Sequence, residues 1–318
     1  MKKLYISLFI FMLLSSFAFA GGEGEKASYP SRTFQVVVPY SAGGGSDTYA
    51  RTIERYIDMN GQPYVVTNIA GGGGSLGTME VLNSKADGYT ILFHSITSLV
   101  GSYYAGNFDY KVFEKFEPVA SVFAMYYGIC TKADAPYQSV DELVEYAKAH
   151  PGELSIGVAG FGGAAHIVGL NFADAAGIEL QFVPYAGASD VKAALEGGHA
   201  DIAVLGTSES FDFIKAGRFI QLAHSGPRPI DTVDAPTFRE CGIDFTFTHR
   251  NGYVFPKGTP QEAIDYMVNA IKEVAETPEF IETIESRAAF VDFLGPEEFQ
   301  DYLYELDIMI EPYAELMK

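Results

Sequence analysis

The sequence predicts an α/β protein built as two domains, and three observations carry that reading. From Phe34 onward, short β-rich runs alternate with stretches of helical periodicity. Most of the strands end in loops of small residues, above all at Gly43 to Gly45, Gly71 to Gly74 and Gly160 to Gly163. Finally, the chain that remains once an export signal is removed, about 298 of 318 residues, exceeds the size at which a single core stops growing.

The export signal comes first. Met1-Lys2-Lys3 precede an apolar run from Leu4 to Phe19 that closes on Ala18-Phe19-Ala20, the pattern of a secretory signal peptide cleaved after Ala20. Residues 21 to 28 then read as a flexible leader. No Cys follows the cleavage point, so a lipid-modified N-terminus is not expected, and charges or glycines interrupt every later apolar run before it reaches the length of a membrane span. The formal net charge is −20, and cleavage removes Lys2 and Lys3 but no acid, which leaves −22. Such a surface excludes nucleic acid and anionic lipid as partners. Any anion must therefore be held locally, by backbone amides and helix N-termini. Cys130 and Cys241 are too few for a disulfide scaffold and read as two buried free thiols.

Phe34 to Val38 is an apolar strand broken only by Gln35, as expected where both sheet faces are covered. The glycines at 43 to 45 turn the chain, Asp47 sits where a helix N-cap belongs, and Ala50, Ile53, Tyr56 and Ile57 mark a helix that Gly61 ends. A strand over Tyr64 to Thr67 leads into Gly71 to Gly74 and a helix from Ser75, and a third over Thr90 to Phe93 ends at His94 and Ser95. Val119 to Phe123 and Tyr126 to Thr131 read as the strands that lead into a second unit. There Ser139 and Glu142 form a capping box for the helix ending near His150. The unit continues with strand Ser155 to Val158, helix Ala164 to Ala176, strand Gln181 to Val183, helix Ser189 to Glu196, strand Asp201 to Val204, helix Ser208 to Ala216 and strand Phe219 to Ala223. Strands Phe245 to Thr248 and Tyr253 to Phe255 return the chain to the first unit, which helices from Pro260 and Pro296 complete. The first lobe is thus discontinuous, 29–125 with 250–318, around a second lobe of 126–249.

Tyr40-Ser41-Ala42-Gly43-Gly44-Gly45-Ser46-Asp47 runs from a strand into a helix, so its free amides and the positive helix end make an anion cradle at the crevice beyond the strand. No Gly-Lys-Ser/Thr follows, so it is not a phosphate-binding P-loop. Gly162-Gly163-Ala164-Ala165-His166 repeats the arrangement in the second unit, and two such cradles can face each other across a cleft. Gly73, Ser95 and Gly206 stand at further strand ends. Tyr185, in a third loop, is placed to close on a ligand, and Arg250, in the polar stretch Thr248 to Asn251 between two strands, offers a cationic fork for a carboxylate.

Two glycine motifs point elsewhere. Gly72 to Gly77 fits G-x-G-x-x-G, but the following strand ends in His94 and Ser95 and lacks the acid that a dinucleotide ribose requires. Gly73 to Gly77 fits G-x-S-x-G, so a secreted serine esterase using Ser75 is an alternative; the early position and glycine density favour Ser75 as a helix cap. Histidines 94, 150, 166, 199, 224 and 249 are dispersed with no pair at i, i+4, and neither a metal nor a cofactor is expected.

The order of Tyr29-Pro30-Ser31-Arg32, VVVPYSAGGGSD, GQPYVVTNIAGGGGSLGT, ADGYTILF, FEPVASV, HPGELSIGVAGFGGAAHIVG, VPYAGASDVKAALEGGHADIAV, FIKAGRF, DAPTFRECGI, FPKGTP and GPEEF resembles the substrate-binding proteins of tripartite tricarboxylate transporters, the Bug family. The resemblance spans about Tyr29 to Tyr313. It implies a type II periplasmic-binding fold: two α/β lobes, two crossing connections, a ligand cleft and hinge closure. It also implies a periplasmic, monomeric, non-catalytic receptor that holds a small organic acid through the Tyr40 to Asp47 and Gly160 to His166 loops and delivers it to membrane permease subunits. A ligand-sensing partner of a membrane receptor is the other alternative. This chain departs from the family near Gly163 to Ala165, where relatives carry hydroxyl or amide side chains, and at Leu205, where many carry Asp; both changes make the cleft less polar.

Overall fold

The computed structural model describes residues 29–317; the signal-peptide and leader readings fall outside the described residues. Strands β1 (Phe34–Val38), β2 (Tyr64–Asn68), β3 (Thr90–Ser95) and β4 (Phe116–Met125) lie in one sheet. Helices α1 (Gly45–Glu54), α2 (Ser75–Leu82), α3 (Ile96–Tyr104) and the short α4 (Val112–Lys115) connect them. Strands β5 (Tyr127–Lys132), β6 (Ser155–Ala159), β7 (Gln181–Tyr185), β8 (Ile202–Gly206) and β9 (Phe219–His224) build a second sheet, with α5 (Val140–Ala149), α6 (Ala164–Ala176), α7 (Ala188–Glu196) and α8 (Thr207–Lys215) between them. The chain then returns to the first sheet through β10 (His249–Pro256) and β11 (Phe290–Leu294), with α9 (Gln261–Ala275), α10 (Pro278–Glu285) and α11 (Pro296–Ile310) packed on it. A 3-10 segment, Glu311–Met317, follows α11.

The six-stranded sheet has the order β11-β4-β10-β3-β1-β2, and the five-stranded one β7-β6-β8-β5-β9. β1 pairs in parallel with β2 and β3, while β10 enters antiparallel between β3 and β4. The chain crosses between sheets at Tyr126, a single residue between β4 and β5, and again between His224 and His249. Inserting β10 in the middle of the first sheet ties the second crossing to its core. The Tyr253 ring on β10 lies tilted against Phe93, centroids 4.6 Å apart, and Phe93 lies 6.3 Å from Phe123 on β4. All three side chains are essentially fully buried, and burying aromatic rings of this size is the chief favourable term in a core. α9 shows the pattern in one helix: Ala263, Ile264, Met267, Ala270, Ile271 and Val274, spaced three and four apart, are its buried stripe.

Several local expectations are corrected. α1 stops at Glu54, and Gly61 lies beyond it in a turn. Its N-cap is Gly44, with Asp47 inside the first turn, and α2 is capped by Gly74, leaving Ser75 as its first residue. Val119 to Phe123 belongs to the first sheet, within β4. Phe245 to Thr248 forms no strand, and Arg250 and Asn251 lie within β10, since their cross-strand partners Ala124 and Phe123 draw the polar stretch into the ladder. α3, α10 and β11 were hidden by uninterrupted apolar or mixed runs whose period does not separate helix from strand. The Ser139 cap is present: its Oγ accepts the Glu142 amide at 3.2 Å. Both thiols are free, Cys130 buried and Cys241 half-buried.

Candidate functional site

The two predicted cradles have the same construction. In the first lobe Gly43 has φ 79°, Gly44 is the extended N-cap of α1, and the Asp47 carboxylate accepts the Gly43 amide at 2.7 Å. In the second, Gly162 has φ 74°, Gly163 is the extended N-cap of α6, and His166 Nδ1 accepts the Gly162 amide at 3.1 Å. The left-handed backbone at the first glycine of each pair is one that residues with a Cβ adopt at a cost, which is why glycine stands there. Each latch turns one amide inward. The next amides, in the first turn of the helix, have no helical acceptor and are free for an anion.

Both latching side chains are thereby spent on the loops, which leaves only their backbones to offer to a ligand. Asp47 is 3 % exposed. Burial alone would raise its carboxyl, but the Gly43 amide, Asn68 at 2.9 Å and Arg51 at 3.0 Å outweigh that and hold it below the ordinary range. His166 is buried between the Phe161 and Phe182 rings, and desolvation lowers its pKa to about 4, so it is neutral.

The second cradle meets α3 of the first lobe. A methyl group on Gly101 of α3 would overlap the Gly162 carbonyl oxygen, and one on Gly163 would stand 3.8 Å from Ser98 Oγ. Ser95 caps α3, accepting the Ser98 amide at 3.4 Å. Tyr40, whose hydroxyl is 3.3 Å from His94 Nδ1, is pushed up to about 12 by burial, against hydrogen bonds from Ser98 and Ser95. Ser41 contributes its carbonyl to the Gly44 amide at 3.2 Å, and Ser41, Ala42 and Gly43 are exposed along the rim. Ala164 and Ala165 open α6 with buried methyls. On another side Tyr49 of α1 bonds Ser208 in the first turn of α8, Oη to Oγ 2.9 Å, a second contact between the lobes.

Four expected contacts lie elsewhere. Arg250 points away from the cleft: its guanidinium ion-pairs with the Asp292 carboxylate, donates to the Asp292 carbonyl at 3.1 Å and lies over the Tyr302 ring. Alternation along β10 puts His249 and Asn251 on the opposite face. Tyr185 ends β7, but its ring folds back along the sheet to lie near Gly157, and its hydroxyl donates to the His199 carbonyl at 3.2 Å. Gly206 gives its amide to Glu209 Oε2 at 2.8 Å, and a Cβ there would come within 2.9 Å of Met125 Sδ, so it serves the crossing. Gly73 lies in a 3-10 turn beside Asn107. The Ser75 hydroxyl lies against Gly72, while His94 Nε2 has no hydrogen-bond partner.

Sequence reasoning missed Tyr49, Tyr127, His249 and Asn251 as cleft residues. Tyr127 is buried edge-on to His249, ring centroids 5.5 Å apart, and Asn251 Nδ2 donates to Ser46 Oγ at 2.9 Å. None belongs to a glycine loop; Tyr49 lies one turn into α1, Tyr127 opens β5, and His249 and Asn251 come from β10, which pairs with β3. Among the described residues, no group of three His, Cys, Asp or Glu side chains is placed to hold a metal ion, and no helix is long and apolar enough to cross a membrane.

Two α/β lobes joined by two crossings, with paired amide cradles between them, define a ligand-binding receptor of the periplasmic-binding fold. Residues 50–296 match the model of the tripartite tricarboxylate transporter family receptors. The chain is 30% identical over 281 residues to protein BugT of Bordetella pertussis, covering 87% of this chain and 86% of that one. The structure of the periplasmic binding protein BugD, 30% identical, superposes with a TM-score of 0.75 over 91% of this chain and 97% of its own. MatC of Rhodopseudomonas palustris with bound malate, 23% identical, shares the fold with a TM-score of 0.77, covering 91% of this chain and 100% of that one. The chain belongs to the tripartite tricarboxylate transporter receptor family.

Proposed function

We propose that this chain is a periplasmic receptor, cleaved after Ala20, which captures a small carboxylic acid between lobes 29–125 with 250–318 and 126–249 and delivers it, as a monomer, to membrane permease subunits. The observation that carries this reading is the pair of matching cradles, Gly43 to Asp47 in one lobe and Gly162 to His166 in the other, each with helix amides that have no helical acceptor. Donors fixed in this way hold a carboxylate without any cationic side chain, consistent with Arg250 being engaged by Asp292. The malate held by MatC is an acid of this class. Capture works by population shift: an acid that bonds both cradles favours the closed arrangement over the open one. No covalent step is required, and the Ser75 esterase reading has no support in the placement of its hydroxyl.

A thermal-shift screen of the mature protein against mono-, di- and tricarboxylates tests the proposal. A rise in melting temperature with one or more acids is expected; no rise with any of them would overturn the carboxylate reading.

A further inference from the structure

The 3-10 segment that follows α11 is rooted in the first lobe and reaches the second. Its root is Asp307, in the last turn of α11, whose carboxylate accepts from Tyr104 Oη at 2.8 Å and from Lys111 Nζ at 2.6 Å, joining α11 to the C-terminal end of α3. Lys111 and Asp307 are largely buried, so the anchor is firmer than a solvent-exposed ion pair. From there Glu311–Met317 packs against α3 and presents Tyr313 and Met317 to the second lobe.

Both side chains find partners there. Tyr313 Oη lies 3.2 Å from Asn171 Oδ1 on α6. The Asn171 NH2 group is taken by the Ile167 carbonyl at 2.9 Å, which leaves its oxygen to the segment and makes the tyrosine hydroxyl the donor. Met317 is 4 % exposed, and a Cβ on Gly162 would stand 3.9 Å from its Sδ and 3.5 Å from the Ala105 methyl. The left-handed glycine of the second cradle is thus seated on Ala105, just past α3, and on Met317. Leu316 beside it is 59 % exposed, so the apolar side chain the segment buries is the one that meets the second lobe. The covalent crossings at Tyr126 and between His224 and His249 are permanent. This link, a hydrogen bond and a thioether contact, can be made and broken.

We propose that residues 311–317 are a detachable strap that holds the lobes in the closed arrangement, with Tyr313 and Met317 as positioning residues for the Gly162 to His166 cradle. Seated, the strap keeps that cradle against α3 and contributes part of the free energy of closing before any acid binds. Released, it lets the second lobe swing away and exposes Met317 to water. The strap acts whatever the ligand is, so it stands apart from the carboxylate reading.

The mature protein without added acid serves for the test, as wild type, Tyr313→Phe, Asn171→Ala, the two combined, and Asn171→Asp, which keeps the acceptor for Tyr313 while losing the bond to Ile167. Dilute hydrogen peroxide converts exposed methionine to its sulfoxide, and peptide mass spectrometry reads each site. Met267, fully buried in the first lobe, reports general unfolding. Met317 oxidation should rise about fivefold in each of the first two variants and no further in the combined one, with Met267 unchanged and Asn171→Asp close to wild type. Small-angle scattering of the same samples should give a larger radius of gyration for Tyr313→Phe and Asn171→Ala. Met317 oxidation unmoved by Asn171→Ala would show the segment held by its own lobe alone, and a rise without expansion would show it fraying while the lobes stay together; either result overturns the proposal. Should Asn171→Ala fail to fold, Tyr313→Phe, which removes a single oxygen, decides by the same two readouts.

Discussion

Asp47 and His166 hold the same station in their two lobes: each lies in the first turn of its helix and accepts the amide of the glycine four residues before it. One uses a carboxylate and the other a neutral imidazole. The geometry of the two cradles is therefore alike, while their chemistry, and their response to acid, is not.

Replacing Asp47 with Ala removes the acceptor of the Gly43 amide and of Asn68, and leaves Arg51 without its buried partner. The loss should be roughly 1–3 kcal/mol of stability, together with weaker ligand binding as the loop loosens. Urea unfolding and calorimetry of the same sample measure both. Asn at this position, which keeps one acceptor, should recover part of each.

Acid should destabilise the protein in two ways. His94, His166, His224 and His249 are all lowered by burial to about 4 from an ordinary 6.5. The unfolded chain takes up these protons first, so stability falls as pH drops from about 6.5 toward 4, by on the order of 1–2 kcal/mol for each buried ring at pH 5. Asp47, whose carboxyl is held low, contributes stability above its unfolded value that is lost only as pH falls through its lower folded one. Melting temperatures from pH 7 to pH 4 should decline steeply, and His166→Gln should decline less steeply than the wild type.

At Gly101 the lobes approach so closely that an added methyl group meets the Gly162 carbonyl. Gly101→Ala should therefore disfavour the closed arrangement, costing about 1–3 kcal/mol where the overlap cannot relax, which appears as an affinity loss of roughly ten- to hundredfold. The ligand-free melting temperature should change little, because the open form escapes the clash. Small-angle scattering should find the variant more extended at saturating ligand than the wild type.

Arg250→Met should leave ligand affinity within about twofold and lower stability by about 1 kcal/mol or more, since its partner Asp292 is half exposed while the arginine itself is buried. A tenfold loss of affinity with normal stability would instead place the guanidinium in the cleft.

The sequence by itself determined the fold class and the glycine turns that precede two of its helices. These are local properties: an apolar run makes β1, paired glycines turn the chain at Gly43-Gly44 and Gly162-Gly163, and a helix must follow with its amides free. Asp47 and His166 were legible as members of those loops, though not as their latches. Tertiary structure alone decided which side chains line the space between the cradles. Alternation along β10 sends Arg250 to Asp292 and His249 toward Tyr127, and no local pattern records which face of a strand will look into a cleft. Tyr185 reads as a lid from its place at a strand end, yet its rotamer lays it back along its own sheet. The contacts of Tyr49 with Ser208 and Asn251 with Ser46 join residues more than a hundred positions apart. Their proximity depends on how two separately wound sheets are brought together by two crossings, a relation that sequence periodicity does not encode.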